Sequence, residues 1–279
     1  MAKKNLIIGG ATNYGINQLK PWVLSAKEVA GENDDIVLVC GNMKPETYSW
    51  LVGEGVILVE MKQNPKIPVH VLRFLSIYDY LQLHWDLYEY VVTTDVKDVY
   101  FQSNPFEDII HHKLIIASEG LRYRDEPWGN ENLFQAYGPY VYDEFKNNEV
   151  FNVGTFGGKS EYVKDMVFHI FTNGINRPIP IVDQAVFNVL INTQPFKDIV
   201  YKTYTWAAEL GTTADPSKIE KFRPNLLCKE PTIKNGLVYY GNSLFPIVHQ
   251  YDRVPVLKKI VQEKYGQEDE SQFFIYRTN

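Results

Sequence analysis

The sequence predicts an α/β fold, one domain built on a mainly parallel sheet with helices on both faces. Three observations lead there. Short apolar runs closed by Gly or Asp alternate with helical segments in units of roughly 25 residues, the rhythm of βαβ crossovers. Neither an internal repeat nor a Pro/Gly/Ser-rich linker interrupts the chain, so a single domain is expected. Of the 279 residues, 45% are hydrophobic and 22% charged, enough to close a sizeable core.

The elements follow in order. "NLIIGGAT" is a buried strand ending in a glycine turn, and residues 16–30 form a helix with Pro21 near its first turn. "DDIVLVCGN" is a second buried strand, "PETYSWLVGEG" a short helix stopped by glycine, and "VILVEM" a third strand. In "PVHVLRFLSIYDYLQLHW", Val71, Phe74, Leu75, Tyr78 and Leu81 share one helical face, while Leu72, Ile77 and Tyr80 cover much of the rest. A helix apolar nearly all round is buried on more than one side, so Arg73 on it either snorkels out or finds an anionic partner. "YEYVVTTD" is the fourth strand. Beyond it, "PWGNENLFQAYGPY" reads as a loop, "VFNVGTFGGKSEYVKDMVFHIF" as strand, glycine turn and helix, and "IVDQAVFNVLI" as a helix with Asp183 at its N-cap. "LVYYGNSLFPIVHQYDRVP" holds one or two strands running into irregular chain, followed by a charged helix and an acidic turn.

The net charge of −6 argues against a broad nucleic-acid surface, which needs clustered Lys and Arg. Cys40 and Cys228 lack any ligand or disulfide spacing and suit reduced thiols. The start "MAKKNLIIGG" is too short an apolar run for a signal peptide, and no stretch reaches the length of a membrane span, so a cytoplasmic protein is expected. Walker, dinucleotide, zinc and nucleophile motifs are absent from the sequence.

The chemistry concentrates at "YVVTTDVKDVYFQSNPF". Strand-forming residues stop at Asp95, Lys97 and Asp98 and resume with Val99, Tyr100 and Phe101. The carboxyl end of a strand in an open parallel sheet is where ligands bind. Residues three apart on a strand face opposite ways, so Asp95 and Asp98 converge on a cation only if the chain turns between them. An edge-of-sheet turn with Lys97 and Asp98 in solvent fits the same letters. His249 in "IVHQYDR" suits a third ligand or a core histidine. "FNVGTFGG" offers Asn152 beside Gly154, suited either to a ligand hydroxyl or to a tight turn. In "VDQAVFN", Gln184 has no structural task beside Asp183, and the pair suits sugar hydroxyls.

Taken together, "GGATNYG", "TTDVKDVYFQSNPF", "NVGTFGG", "VDQAVFN" and "IVHQYDR", in that order over residues 5–255, resemble the glycosyltransferases of the A fold, the nucleotide-diphospho-sugar transferase superfamily, and within it the glycogenin-like retaining branch. The resemblance implies a Rossmann-like catalytic domain over residues 1–255, with 256–279 a C-terminal helix and tail. It implies Mn2+ or Mg2+ held by Asp95, Asp98 and His249, although the usual second aspartate position is Lys97 and the carboxylate comes one residue later. Gly10, Ala11, Thr12, Tyr14, Thr94 and Lys97 would meet the nucleotide of a UDP- or GDP-linked sugar, and Arg73 would stand near its diphosphate. Asn152, Gly154, Asp183 and Gln184 would hold the sugar, with Asp183 and Gln184 as the catalytic residues, and Trp128 would stack on sugar or acceptor. The acceptor implied is a glycan or glycoconjugate. An inverting enzyme would need a base, for which Glu119 and Asp183 are candidates. A sugar nucleotidyltransferase is the rival enzyme, though "GGATNYGINQLK" offers only Lys20 to its signature; a non-catalytic nucleotide-sugar-binding protein is the third reading.

Overall fold

In the computed structural model, which describes residues 3–266, the chain alternates strand and helix from its first element. Strands β1 (Lys4–Thr12), β2 (Asp35–Gly41), β3 (Ile57–Glu60), β4 (Tyr88–Thr94), β6 (Leu114–Arg122), β7 (Glu149–Lys159) and β8 (Val200–Thr203) form a seven-stranded sheet in the order β3-β2-β1-β4-β7-β6-β8. Strand β7 runs antiparallel to both neighbours, and the other six strands run one way.

Period-two side chains explain how the sheet is covered. On β1, Ile7 and Ala11 join a core with Leu19, Trp22, Val23 and Ala26 of helix α1 (Ile16–Val29) and Leu51 of α2 (Pro45–Gly53). Leu6 and Ile8 point the other way, into a core with Phe74, Ile77 and Leu81 of α3 (Val69–His84), Met166 and Ile170 of α5 (Ser160–Gly174) and Phe187 of α6 (Asp183–Leu190). Helices therefore cover both faces. From β1 the chain winds outward to β2 and β3 and then returns to β4 on the other side, so strand order reverses between β1 and β4. That reversal opens a crevice at the strands' carboxyl ends.

The strand that resumes after Asp98 does not rejoin this sheet. Strand β5 (Val99–Phe101) lies in a second sheet of order β5-β13-β9, with β9 (Ala207–Glu209) and β13 (Ile247–His249). The aspartates therefore sit where the chain crosses from one sheet to the other. One-turn helices α7 (Leu210–Thr213) and α8 (Ile219–Phe222) follow β9, and a meander of β10 (Thr232–Lys234), β11 (Leu237–Tyr240) and β12 (Ser243–Leu244) leads to β13. Helix α9 (Pro255–Tyr265) then packs back on α1, where Lys264 meets Glu28 at 2.7 Å. The acidic turn expected after it lies outside the described residues.

Four sequence expectations change. Residues 127–140 are not a loop but most of helix α4 (Pro127–Phe145), which tolerates Pro127 in its first turn, is capped by the Glu126 carboxylate, and kinks at Gly138 (φ 76°) before Pro139. The glycines of "NVGTFGG" make no turn; they lie inside the continuous strand β7. Gly158, at φ 153°, passes where a Cβ would come within 2.1 Å of the Lys113 carbonyl oxygen. Asp183 is the first helical residue of α6 rather than its N-cap, which is Val182. Pro21 sits inside α1 instead of in its first turn; Ser25 Oγ bonds the Pro21 carbonyl oxygen at 2.5 Å.

Candidate metal centre and adjoining cavities

Strand β4 ends at Thr94, which is buried and accepts a 2.7 Å hydrogen bond from the Trp22 indole. Thr94 is thus tied to the core behind the site. Asp95 follows, and its N–H donates to the Gly154 carbonyl of β7 at 2.7 Å. Gly154 has to be small: a Cβ there would stand 2.7 Å from Asp95 Oδ2, 2.8 Å from His249 Cε1 and 2.9 Å from Asn152 Oδ1. The chain then turns, burying Val96 and leaving Lys97 exposed, and the Asp98 carbonyl accepts from Gln250 N–H at 2.7 Å. This is the turn that lets two carboxylates three residues apart face one point.

The third group arrives on the small sheet. His249 pairs in register with Val99 of β5 and Glu209 of β9. Its Nε2 lies 3.6 Å from Asp95 Oδ2 and 3.7 Å from Asp98 Oδ1, beyond ordinary hydrogen-bond length, while Nδ1 is 2.7 Å from Glu209 Oε2. One ligand atom from each of Asp95, Asp98 and His249 falls within 4.8 Å of the others. Two carboxylates and an imidazole nitrogen suit a divalent cation, which would neutralise charge that the fold forces together. The group can hold a metal ion.

The two aspartates differ electrically. Burial would raise the Asp95 carboxyl, but the Arg73 guanidinium and the His249 ring override it and hold Asp95 well below the usual carboxylate range. Asp98 has no such clamp; burial raises it, and Asp95 and Asp252 add to the effect against His249 and Arg253. For His249, burial favours the neutral ring, yet Glu209 and Asp98 push it well above its ordinary value.

Arg73 reaches the site across Gly10, whose missing side chain leaves room: a Cβ there would lie 3.1 Å from Arg73 Cβ. Its guanidinium binds Asp95 Oδ1 through one terminal nitrogen and Asp183 Oδ2 at 3.0 Å through the other. Arg73 does have its anionic partners. Asp183 also accepts from Gln184 N–H at 3.1 Å. Burial raises the Asp183 carboxyl, with Arg73 opposing.

Next to this pair, Asn152 Nδ2 and Gln184 Nε2 each donate to Glu119 Oε1 at 2.8 Å. Asn152 Oδ1 accepts from Gly154 N–H at 2.7 Å. Burial, with Glu126 and Glu209 nearby, pushes the Glu119 carboxyl up to about 8. These residues line a cavity of about 340 Å³ that also reaches Asp95 and His249. Trp128, half exposed in the first turn of α4, stands at its mouth with Lys218 and Arg253.

A second cavity of about 530 Å³ opens beyond β1 and β2, lined by Asn13, Tyr14, Asn17, Asn42 and Lys44 among others. Asn13 and Asn42 turn their strands' ends in the left-handed region (φ 60° and 54°), and Asn13 N–H donates to Gly41 at 3.2 Å. Burial raises the Tyr14 phenol, and the charges of Asp95 and Asp98 raise it further against Arg73.

The expected site residues thus divide. Asp95, Asp98, His249, Arg73, Asn152, Asp183 and Gln184 come together, with Gly10 and Gly154 making room and Trp128 at the rim. Ala11 packs in the core, and half-buried Thr12 accepts from the Asn13 amide at 3.3 Å. Lys97 lines neither cavity; its carbonyl meets the Tyr251 hydroxyl at 3.5 Å. Glu209 was not foreseen, although an acid inside "TWAAELG" breaks an apolar run much as Asp95 does. No protein-family model matches the chain, and no curated protein matches its sequence.

Proposed function

We propose that the protein is a metal-dependent glycosyltransferase of the nucleotide-diphospho-sugar transferase superfamily, with the A fold, acting with retention on a UDP- or GDP-linked sugar. The observation that carries the reading is the convergence of Asp95, Asp98 and His249 at the switch point of the sheet, where Asp95 and His249 line one cavity and a second opens at the ends of β1 and β2. Asp95, Asp98 and His249 would hold Mn2+ or Mg2+. When bound, the ion supplies Lewis-acid stabilisation of the departing diphosphate.

The chain's own residues do the rest. The cavity beyond β1 and β2, with Tyr14 and three asparagines, accepts the nucleoside. Asn152, Asp183, Gln184 and Glu119 form a wall of hydroxyl-binding groups for the sugar in the smaller cavity. Arg73 holds Asp95 and Asp183 in place, and its charge keeps the Asp95 carboxyl low. Asp183 is committed to Arg73, and Glu119 to Asn152 and Gln184, so neither is placed as a base for an incoming hydroxyl; this favours retention. Trp128 at the rim suits stacking against a glycan or glycoconjugate acceptor. A nucleotidyltransferase is less well supported, because Lys20, on helix α1, donates to the Gly266 carbonyl at 2.8 Å.

Thermal-shift measurements with UDP and GDP, each with and without Mn2+, test the reading. Nucleotide and metal together are expected to raise the melting temperature more than either alone. UDP- or GDP-sugars are expected to release nucleoside diphosphate, and Asp95→Asn to cut that turnover by about a hundredfold or more. Pyrophosphate made from a nucleoside triphosphate and a sugar phosphate would favour the rival enzyme. Indifference to every nucleotide would reject both.

A further inference from the structure

We infer that Glu209 is the positioning residue of the ion site, orienting His249 so that its Nε2 lone pair faces the gap between Asp95 and Asp98. The inference rests on the metal-centre reading above and concerns a residue outside the ligand set. Glu209 is 1% exposed and His249 2% exposed, so ring and carboxylate are both held in the packed interior. Both carboxylate oxygens are used: Oε2 faces His249 Nδ1 at 2.7 Å, and Oε1 accepts the Thr155 hydroxyl at 2.5 Å. The end of β9 is held in turn, since the Thr213 hydroxyl donates to the Glu209 carbonyl at 2.7 Å.

A buried carboxylate is costly unless its bonds are specific. Thr155 alone would be satisfied by a neutral acceptor. What calls for the acid is the ring. With Nδ1–H donated to Glu209, an incoming cation displaces the proton of the other nitrogen and takes its lone pair, and a carboxylate behind the ring makes that nitrogen the better ligand. Nε2 is then left 3.6 and 3.7 Å from two acid oxygens, too far to bond them directly and on the side where a cation would sit. Thr155 lies on β7 of the main sheet, so the chain Thr155–Glu209–His249 also locks the ring's orientation to the strand that places Gly154 against Asp95.

Titration calorimetry with Mn2+ alone, together with electron paramagnetic resonance of the bound ion, provides the test. Wild type is expected to bind Mn2+ with a histidine nitrogen coupling. Glu209→Ala should weaken binding by about 10- to 100-fold and lose that coupling. Glu209→Gln keeps an acceptor but not the charge; it should retain the coupling and bind about tenfold more weakly. Should the alanine variant fail to fold, the glutamine variant decides. A folded Glu209→Ala or Glu209→Gln protein binding Mn2+ as wild type does would overturn the inference while leaving the metal centre standing. A wild type that binds no Mn2+ would overturn the metal centre itself.

Discussion

The two sheets that meet at Asp95 and Asp98 are built by different rules. In the seven-stranded sheet, each inner strand carries its own instruction: alternate residues of β1 and β2 sort cleanly into the cores on either face. The small sheet has three strands of three residues each, drawn from widely separated parts of the chain. Individual hydrogen bonds frame it. The Ser25 hydroxyl accepts from Phe101 N–H at 3.0 Å, the Gln102 amide bridges the carbonyls of Val238 and Phe245 at 3.1 and 2.8 Å, and the Trp206 indole donates to Pro105 at 3.0 Å. The large sheet delivers Asp95 already clamped by Arg73. The small sheet delivers His249 and brings Asp98 up without a clamp. A site shared in this way has one half held ready by an ion pair and another half that a bound cation would complete.

The largest expected effect strikes the clamped half. Arg73→Met leaves buried Asp183 and half-buried Asp95 without their cation and should cost about 3–5 kcal/mol in denaturant unfolding. A loss near zero would mean that the large-sheet half is not prearranged, and the contrast between the sheets would fail.

A subtler effect tests how far the sheets feel each other. Glu119 belongs to β6 of the large sheet, yet Glu209 of the small one is among the charges that raise it, after burial and Glu126. Because the folded chain holds this proton up to about 8 against an ordinary value of 4.5, its stabilising contribution is full below about 4.5 and is lost as pH rises through about 8. Glu119→Gln should therefore gain on wild type in melting temperature across that window. Parallel curves for the two proteins would show that Glu119 titrates normally.

The smallest effect should come from Lys97, on the outside of the turn. Lys97→Ala is expected to leave stability within about 0.5 kcal/mol and Mn2+ binding unchanged. A clear loss of nucleotide affinity would instead bring this exposed lysine back to the ligand.

Much of the large sheet could be read directly, because burial on two faces imposes apolar runs and helices of recognisable period. Asp95 was legible as an acid interrupting such a run, and Arg73 as a charge on a helix with almost no wet face. Helix α4 was not legible. Gly129, Gly138 and Pro139 speak against a helix locally; Gly138 does kink the chain, while a Glu126 cap with tertiary packing of Leu133, Ala136 and Phe145 holds the helix on either side of it. The glycines of β7 were misread for a related reason: their smallness serves close approach by Asp95, His249 and Lys113, and that is a property of neighbours in space.

By itself, the order of residues determined the alternation of strand and helix, the covering of both sheet faces, and a pair of acids at the end of a central strand. Only the tertiary structure decided that the chain changes sheets between those acids, that His249 and Glu209 pair in register beside them, and that Lys97 points away. The division has a physical cause. Periodic burial is written into neighbouring residues, whereas a site closed by strands of three residues draws on contacts between segments 40 or more positions apart, which no local pattern records.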